Sequence, residues 1–187
     1  IMVEQLLNSF MGMADTMMVS NVGSAAISAV SLVDSINVLV IQVFTALGAG
    51  AAIICSQYLG RGDRESSNEA ARQVTLSVLT ISTVLSILCI VFREPLLHLI
   101  FGQVEEAVMD NSMIYFLLTA ISFPFIALFD AGGAFYRAAG NSRFPMMISV
   151  LSNGLNIAGN AVLIFGFQMG VEGAALSTLF SRIFCAV

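Results

Sequence analysis

The chain has 187 residues, of which 58% are hydrophobic and only 10% are charged, and its formal net charge is −5. Soluble domains carry about 25% charged residues, so the composition excludes a soluble globular domain, and with it a soluble enzyme or a nucleic-acid-binding protein. The three cysteines lie within apolar runs and cannot form a disulfide framework or a C-x-x-C metal site. We therefore predict an integral membrane protein. For its activity we expect transport, without an enzymatic reaction, a cofactor or a nucleic-acid partner.

Long segments without a charged residue predict the spanning helices. Residues 35–60, 73–92, 111–129 and 144–171 each approach or exceed the roughly 20 residues that cross a bilayer. Two more helices are expected at the ends of the chain, where charges are few. We predict an all-α bundle of six transmembrane helices, in chain order residues 1–20, 25–58, 73–92, 113–138, 145–168 and 172–187. Because the first residue is not methionine and the last helix stops after an apolar run, we expect a fragment of a longer chain.

The arginines indicate the orientation of the bundle. The chain has no lysine, and most of its arginines flank two loops on one side, namely Arg61, Arg64, Arg72, Arg137 and Arg143. Basic residues concentrate on the cytoplasmic side of membrane proteins. We therefore predict a multi-pass protein of the cell membrane with a cytoplasmic amino terminus.

Three aspartates, Asp15, Asp34 and Asp130, lie inside predicted helices. An ionisable group in a spanning helix costs about 2.5–3.5 kcal/mol on insertion scales, so each aspartate is a hypothesis of function. Counted from the outer helix ends at about 1.5 Å per residue, Asp15 lies about 8 Å deep, close to Thr178 at about 9 Å and Asn160 at about 12 Å. No basic residue is predicted at the depth of Asp15 to neutralise it.

Polar side chains extend these positions into stripes, since residues three or four apart share one face of a helix. The stripes are Gln5, Asn8, Gly12 and Asp15 on the first helix, Asp34, Asn37 and Thr45 on the second, Ser149, Asn153, Asn156 and Asn160 on the fifth, and Thr178 and Ser181 on the sixth. Oxygen ligands around a carboxylate suit a hard cation. The same carboxylate can instead bind a proton, because burial disfavours its charged form. Hydrogen bonding that only joins neighbouring helices is a further alternative, above all for Asn153 and Asn156.

Asp130 differs from the other two aspartates because it lies nearer the predicted cytoplasmic end of its helix. Gly133 and Arg137 share its face of that helix. We expect a structural ion pair or a cytoplasmic-side gate formed by Asp130 and Arg137.

Four segments of the chain resemble one transporter family. They are M-A-D-T-M-M-V at Met13–Val19, S-Q-Y-L-G-R-G-D at Ser56–Asp63, Y-R-A-A-G-N-S-R-F-P-M at Tyr136–Met146 and G-V-E-G-A-A-L-S-T at Gly170–Thr178. In this order and spacing they are similar to the multidrug and toxic compound extrusion (MATE) transporters, over essentially the whole chain. The resemblance implies a twelve-helix protein with two six-helix lobes around a central cavity, of which residues 1–187 would be the amino-terminal lobe.

The resemblance also implies a site and a coupling mechanism. MATE transporters work by antiport with Na+ or H+, and related members hold the cation with an Asp of the first helix, an Asn and an Asp of the fifth, and a Thr of the sixth. Asp15, Asn156 and Thr178 match this pattern, whereas Asn160 stands where the pattern has the second aspartate. We expect these four residues to bind the cation or proton, and we expect no metal site other than one for Na+.

The expected function is export of organic, cationic or amphipathic compounds. Substrate would contact the inner faces of the first, second and fourth helices, with Asp34, Asn37 and Asn153 along its pathway. The expected partners are these compounds, the lipid bilayer and a carboxy-terminal lobe of the same protein. One alternative is a lipid-linked saccharide flippase of the same superfamily, although such cavities usually carry several basic residues and this chain has almost none at depth. Another alternative is a non-transporting structural membrane subunit.

Overall fold

Helices make up almost the whole chain. The structure, a computed structural model, describes residues 2–102 and 104–187, apart from the side chains of residues 2–5, 7, 8 and 11. Gln5 and Asn8 of the first predicted stripe therefore lie outside the described side chains. The helices are α1 Met2–Val19, α2 Ser24–Gly60, α3 Arg64–Val91, α4 Arg93–Phe101, α5 Glu106–Ile121, α6 Phe123–Ala138, α7 Arg143–Asn160 and α8 Gly170–Ala186. A π-helical segment, Ala161–Gly166, continues α7.

The third helix is longer than the sequence predicts. It begins at Arg64 rather than at residue 73, because charged residues end an apolar segment but do not end a helix. Asp63 precedes α3, and its side chain accepts a hydrogen bond of 3.0 Å from the backbone N–H of Ser66. Gly62, at a φ of +77°, makes the turn between α2 and α3. The first turns of α3 are thus a polar extension of an apolar span.

Replacing Asp63 by Ala is expected to unwind the first turn of α3, because the N–H of Ser66 then loses its acceptor. Hydrogen bonds from Ser66 lower the pKa of the Asp63 carboxyl below its ordinary value of 3.8. A lowered folded-state pKa means that the ionised cap stabilises α3 above pH 3.8 and that this contribution is lost as the pH falls through the lower folded value. Hydrogen exchange of the first turn measures both effects. Asp63→Asn is the control, since it keeps an acceptor but should lose the pH dependence.

The fourth predicted helix consists of two helices. The chain bends by 45° between α5 and α6, at Ser122. Pro124 lies in the first turn of α6, where its missing N–H and its ring interrupt the helical hydrogen bonds of the preceding turn. The apolar composition continues through both helices, so a search for uncharged segments joins them into one.

Four segments of the described chain are long and apolar enough to cross a membrane. They are α2, α3, α7 together with its π-helical continuation, and the bent pair α5–α6 taken as one span. α1 has 18 residues and α8 has 17, and neither meets the same test of length and composition. The all-α membrane bundle is therefore confirmed, whereas the crossing of the membrane by α1 and α8 stays a prediction.

α8 joins two groups of packed helices. α2 packs against α3, α5 and α6, while α7 packs against α1 and α8, and α8 also contacts α5 and α6. Small residues allow close crossings, as is common in membrane bundles: a Cβ atom at Gly48 of α2 would lie 3.3 Å from the backbone carbonyl oxygen of Asp130 in α6. Large apolar side chains such as Phe10, Leu39 and Phe180 are exposed on the outside. These outer faces suit contact with lipid.

Candidate cation site and cleft

Three helices bring the four predicted cation-site residues together. Asp15 lies near the end of α1, and Thr178 lies on α8. Asn156 and Asn160 lie one turn apart on α7. All four residues are buried. Asn160 Nδ2 donates to Asp15 Oδ1 and to Asn156 Oδ1 at 3.3 Å, and Asn156 Nδ2 donates to Thr178 Oγ1 at 3.2 Å. We call these four residues the Asp15 network.

One oxygen of the Asp15 network is left without a hydrogen bond. Asn160 Oδ1 is buried and has no hydrogen-bond partner among the described residues, a condition that costs about 1–3 kcal/mol. The Nδ2 atom of the same amide lies between two acceptors, Asp15 Oδ1 and Asn156 Oδ1. Turning the amide over would bring Oδ1 to these oxygens in place of Nδ2. The residues present thus fit a hard cation such as Na+, whose ligands would be carboxylate, amide and hydroxyl oxygens.

A close crossing of α7 and α8 holds the Asp15 network in place. A Cβ atom at Gly159 would lie 2.4 Å from Ser177 Oγ and 3.2 Å from Ser177 Cβ, so only glycine fits between the helices at this point. Ser177 Oγ donates to the backbone carbonyl oxygen of Asn156 at 2.7 Å. The π-helical segment begins directly after Asn160, and such widened turns often occur at functional sites.

A second feature is an open cleft of about 590 Å³ between α1 and α2. Its lining includes Met13, Thr16, Met17 and Asp34. Asp34 Oδ1 accepts hydrogen bonds from Tyr115 Oη at 3.2 Å and from Asn37 Nδ2 at 3.3 Å. The cleft therefore combines one oriented carboxylate with apolar and hydroxyl-bearing side chains.

The other two residues of the predicted substrate pathway do not line the cleft. Asn37 is buried behind Asp34 and its Oδ1 has no hydrogen-bond partner within the described part of the chain. Asn153 is buried on α7, one turn before Asn156, and its Nδ2 likewise has no partner there. Of the three predicted residues, Asp34 is the one at the wall of the cleft.

Asp130 and Arg137, the predicted ion pair or gate, are both half-buried on α6. Asp130 Oδ2 accepts a hydrogen bond of 3.0 Å from Thr45 Oγ1 of α2. The guanidinium of Arg137 lies against Gly133, where an added Cβ atom would be 3.1 Å from Nη1. Asp130 thus connects α6 to α2, and its pairing with Arg137 stays a prediction.

Sequence reasoning missed a buried positive charge. Arg182 of α8 is 7% exposed, and its Nη1 donates to Ser122 Oγ at 2.7 Å. Asp34, Asp15 and Asp130 lie within electrostatic range of its guanidinium. Packing turns this face of α8 inward, so that a basic residue lies near the Asp15 network, which the sequence analysis did not anticipate. The available signal was spacing: Arg182 lies one turn after Thr178, on the same helical face.

The family is decided by comparison with known sequences. The MatE family model matches residues 1–162. This chain belongs to the MatE family. MATE proteins are membrane transporters, as the sequence resemblance implied.

Several relatives of known name are longer than this chain. The chain is similar to the uncharacterized transporter YisQ of Bacillus subtilis, with 32% identity over 98% of the chain and 41% of the relative. It is also similar to the probable multidrug resistance protein NorM of Thermotoga maritima, with 32% identity over 97% of the chain and 39% of the relative. The FAD transporter of Shewanella oneidensis is 27% identical over 90% of the chain and 38% of its own length. The chain thus spans about 40% of the length of these MATE relatives.

A solved MATE structure agrees with the fold. A crystal structure of MATE in the bent conformation superposes with a TM-score of 0.92 and 24% sequence identity, over 98% of this chain and 41% of that one. The chain therefore has the fold of one lobe of a MATE transporter.

Proposed function

We propose that this chain, residues 1–187, is the amino-terminal lobe of a MATE transporter that exports organic cations by antiport with Na+ or H+. The observation that carries the proposal is the Asp15 network, in which hydrogen bonds join polar side chains of three helices to one buried carboxylate. A carboxylate inside a membrane is costly and marks ion pathways and proton relays. A carboxy-terminal lobe would supply the other half of the central cavity.

The Asp15 network would bind the coupling ion. Asp15 would neutralise its charge, and the oxygens of Asn156, Asn160 and Thr178 would replace its water. A proton on Asp15 is the alternative occupant. Since α1 carries both Asp15 and cleft residues such as Thr16, a change at the ion site would reach the cleft through one helix.

The cleft would bind the substrate. Asp34 would attract its positive group, while Met13 and Met17 offer adaptable apolar surface beside it. An amphipathic organic cation matches one carboxylate set among apolar walls. None of the described residues that line the cleft is basic, whereas a flippase for lipid-linked saccharides would need basic residues to meet the phosphates.

The distribution of arginines supports the orientation. With α1 and α8 counted as spans, the bundle crosses the membrane six times, and both ends of this chain would lie in the cytoplasm. In alternating access, as in other repeat-built transporters, the cleft and the Asp15 network would open first to one side of the membrane and then to the other.

Efflux from proteoliposomes that contain the full-length parent tests this function. The vesicles are loaded with ethidium, a fluorescent cation, and Na+ and H+ gradients are imposed in separate runs. We expect one of the gradients to accelerate efflux, which would also identify the coupling ion. FAD, an anion, is the comparison probe: gradient-driven movement of FAD but not of ethidium would contradict a cationic substrate. Movement of neither compound under either gradient would favour a structural subunit.

Replacing Asn160 by Asp is expected to strengthen cation binding about tenfold, which corresponds to about 1.4 kcal/mol of binding free energy. The change gives the Asp15 network a second carboxylate, so a bound cation would also relieve the repulsion between the two acids. Na+ binding to the purified full-length parent measures the change. Asn153→Asp is the matched control, since Asn153 is also buried on α7 but donates no hydrogen bond to Asp15. Equal gains in both variants would show that added charge, and not the place of Asn160, is responsible.

A further inference from the structure

One positive charge lies in the middle of the bundle. Arg182 is buried, its Nη1 donates to the neutral Ser122 hydroxyl, and its Nε has no hydrogen-bond partner among the described residues. A guanidinium remains charged in proteins, and burying a charge without a full set of partners is unfavourable. Helix packing alone therefore does not explain this residue.

Charged or titratable groups of four neighbouring helices lie within electrostatic range of Arg182, which is one turn after Thr178 of the Asp15 network on α8. They are Asp15 of α1, Asp34 of α2, Tyr115 of α5 and Asp130 of α6, while Cys185 lies within range on α8 itself. α7, which also packs on α8, contributes neutral groups such as Ser152 and Asn156. Asp15 and Asp34 also interact with each other. The guanidinium thus lies within electrostatic range of the carboxylates of both proposed sites.

We propose that Arg182 sets the affinity of both sites, because its fixed charge weakens binding of the coupling cation at Asp15 and of the cationic substrate at Asp34. This inference rests on the proposed function. A transporter must release both ligands in every cycle, and a carboxylate in a protein interior holds a cation strongly when no positive charge opposes it. Arg182 makes the potential at both carboxylates less negative without touching either ligand.

The effect of the Arg182 charge can be tested separately from the effect of its hydrogen bond to Ser122. Ser122 lies at the break between α5 and α6, and its contact with Arg182 is a bond between a charged donor and a neutral acceptor. Removing the hydroxyl changes no charge in the bundle. A purely structural role of Arg182 would depend on this bond, whereas an electrostatic role depends on the positive charge.

Arg182→Gln in the full-length parent tests the proposal through binding and turnover together. Ethidium binding to the purified protein, followed by fluorescence polarisation, should tighten about tenfold, within the usual range of coupling between sites. Ethidium efflux from proteoliposomes should slow, because release becomes harder. Arg182→Lys keeps the charge and Ser122→Ala removes only the hydrogen bond, so both should bind ethidium with near wild-type affinity.

Three results would overturn the assignment, two of them directly and one through the proposed function. Unchanged or weaker ethidium binding in an Arg182→Gln protein that purifies as the wild type does would contradict it, since a structural role predicts loss and not gain. An equal gain in Arg182→Lys would also contradict it, because the charge is still present. A wild-type parent that neither binds nor moves ethidium would contradict the proposed function itself, and the inference that rests on it would fall too.

Discussion

Replacing Asp15 by Asn is expected to abolish ion-driven efflux by the full-length transporter. The change removes the carboxylate of the Asp15 network but keeps its size and an oxygen that can accept the hydrogen bond from Asn160. Interactions of this kind with a charged group contribute about 1.5–3 kcal/mol, which corresponds to about 10–150-fold in cation affinity. We expect the helices to stay folded, because the neutral amide is less costly to bury than the acid.

Ethidium efflux under imposed Na+ and H+ gradients measures this loss, with Asp34→Asn as the matched control. That variant removes the carboxylate at the wall of the cleft and should weaken ethidium binding while cation binding is retained. If the Asp15→Asn protein still responded fully to the gradients, Asp15 would have no part in coupling. The search for the coupling residue would then move to Asp34.

Replacing Gly159 by Ala is expected to open the crossing between α7 and α8. The new methyl group would lie 2.4 Å from Ser177 Oγ and 3.2 Å from Ser177 Cβ, so rotating the hydroxyl away does not remove the clash. Overpacking of this kind costs about 1–3 kcal/mol. The hydrogen bond from Ser177 to the Asn156 carbonyl would also be lost, and Asn156 would move away from Thr178. Both thermal stability and cation affinity should fall.

The matched control is Gly154→Ala, one and a half turns earlier on α7. Nothing lies within 4 Å of a Cβ atom at Gly154, and Ala favours a helix over Gly by about 1 kcal/mol. Thermal unfolding of the full-length protein, followed through the reactivity of the buried thiols of Cys55 and Cys89, compares the two. Equal melting temperatures in the two variants would mean that the α7–α8 crossing is not as close as described.

Membrane-spanning segments were predictable because a bilayer imposes a simple rule on composition. The uncharged segments located α2, the apolar part of α3, the pair α5–α6 and α7. The rule did not predict the polar beginning of α3 at Arg64. A helix that extends into water can begin at a cap such as Asp63 and does not need an apolar composition. The composition rule also did not predict the bend at Ser122, because one proline changes the helix geometry without changing the hydropathy.

The candidate site was predictable to the extent that it depends on helical spacing. Asn156 and Asn160 share a face of α7, and the resemblance to MATE transporters linked them to Asp15 and Thr178, which the structure joins by hydrogen bonds. The spacing from Thr178 could have indicated that Arg182 faces inward, but its partner Ser122 depends on how α8 packs against α5 and α6, which spacing within one helix does not determine. The burial of Asn37 behind Asp34 has the same origin.

Counting the cations bound by the purified full-length parent and by its Asp15→Asn variant tests the central claim most directly. Bound radioactive sodium is measured at neutral pH, and proton uptake is measured by acid titration of the same samples. The account predicts that the wild type binds one cation more than the variant, either Na+ or H+. Identical binding of both ions by the two proteins would contradict the assignment of the Asp15 network as the coupling site.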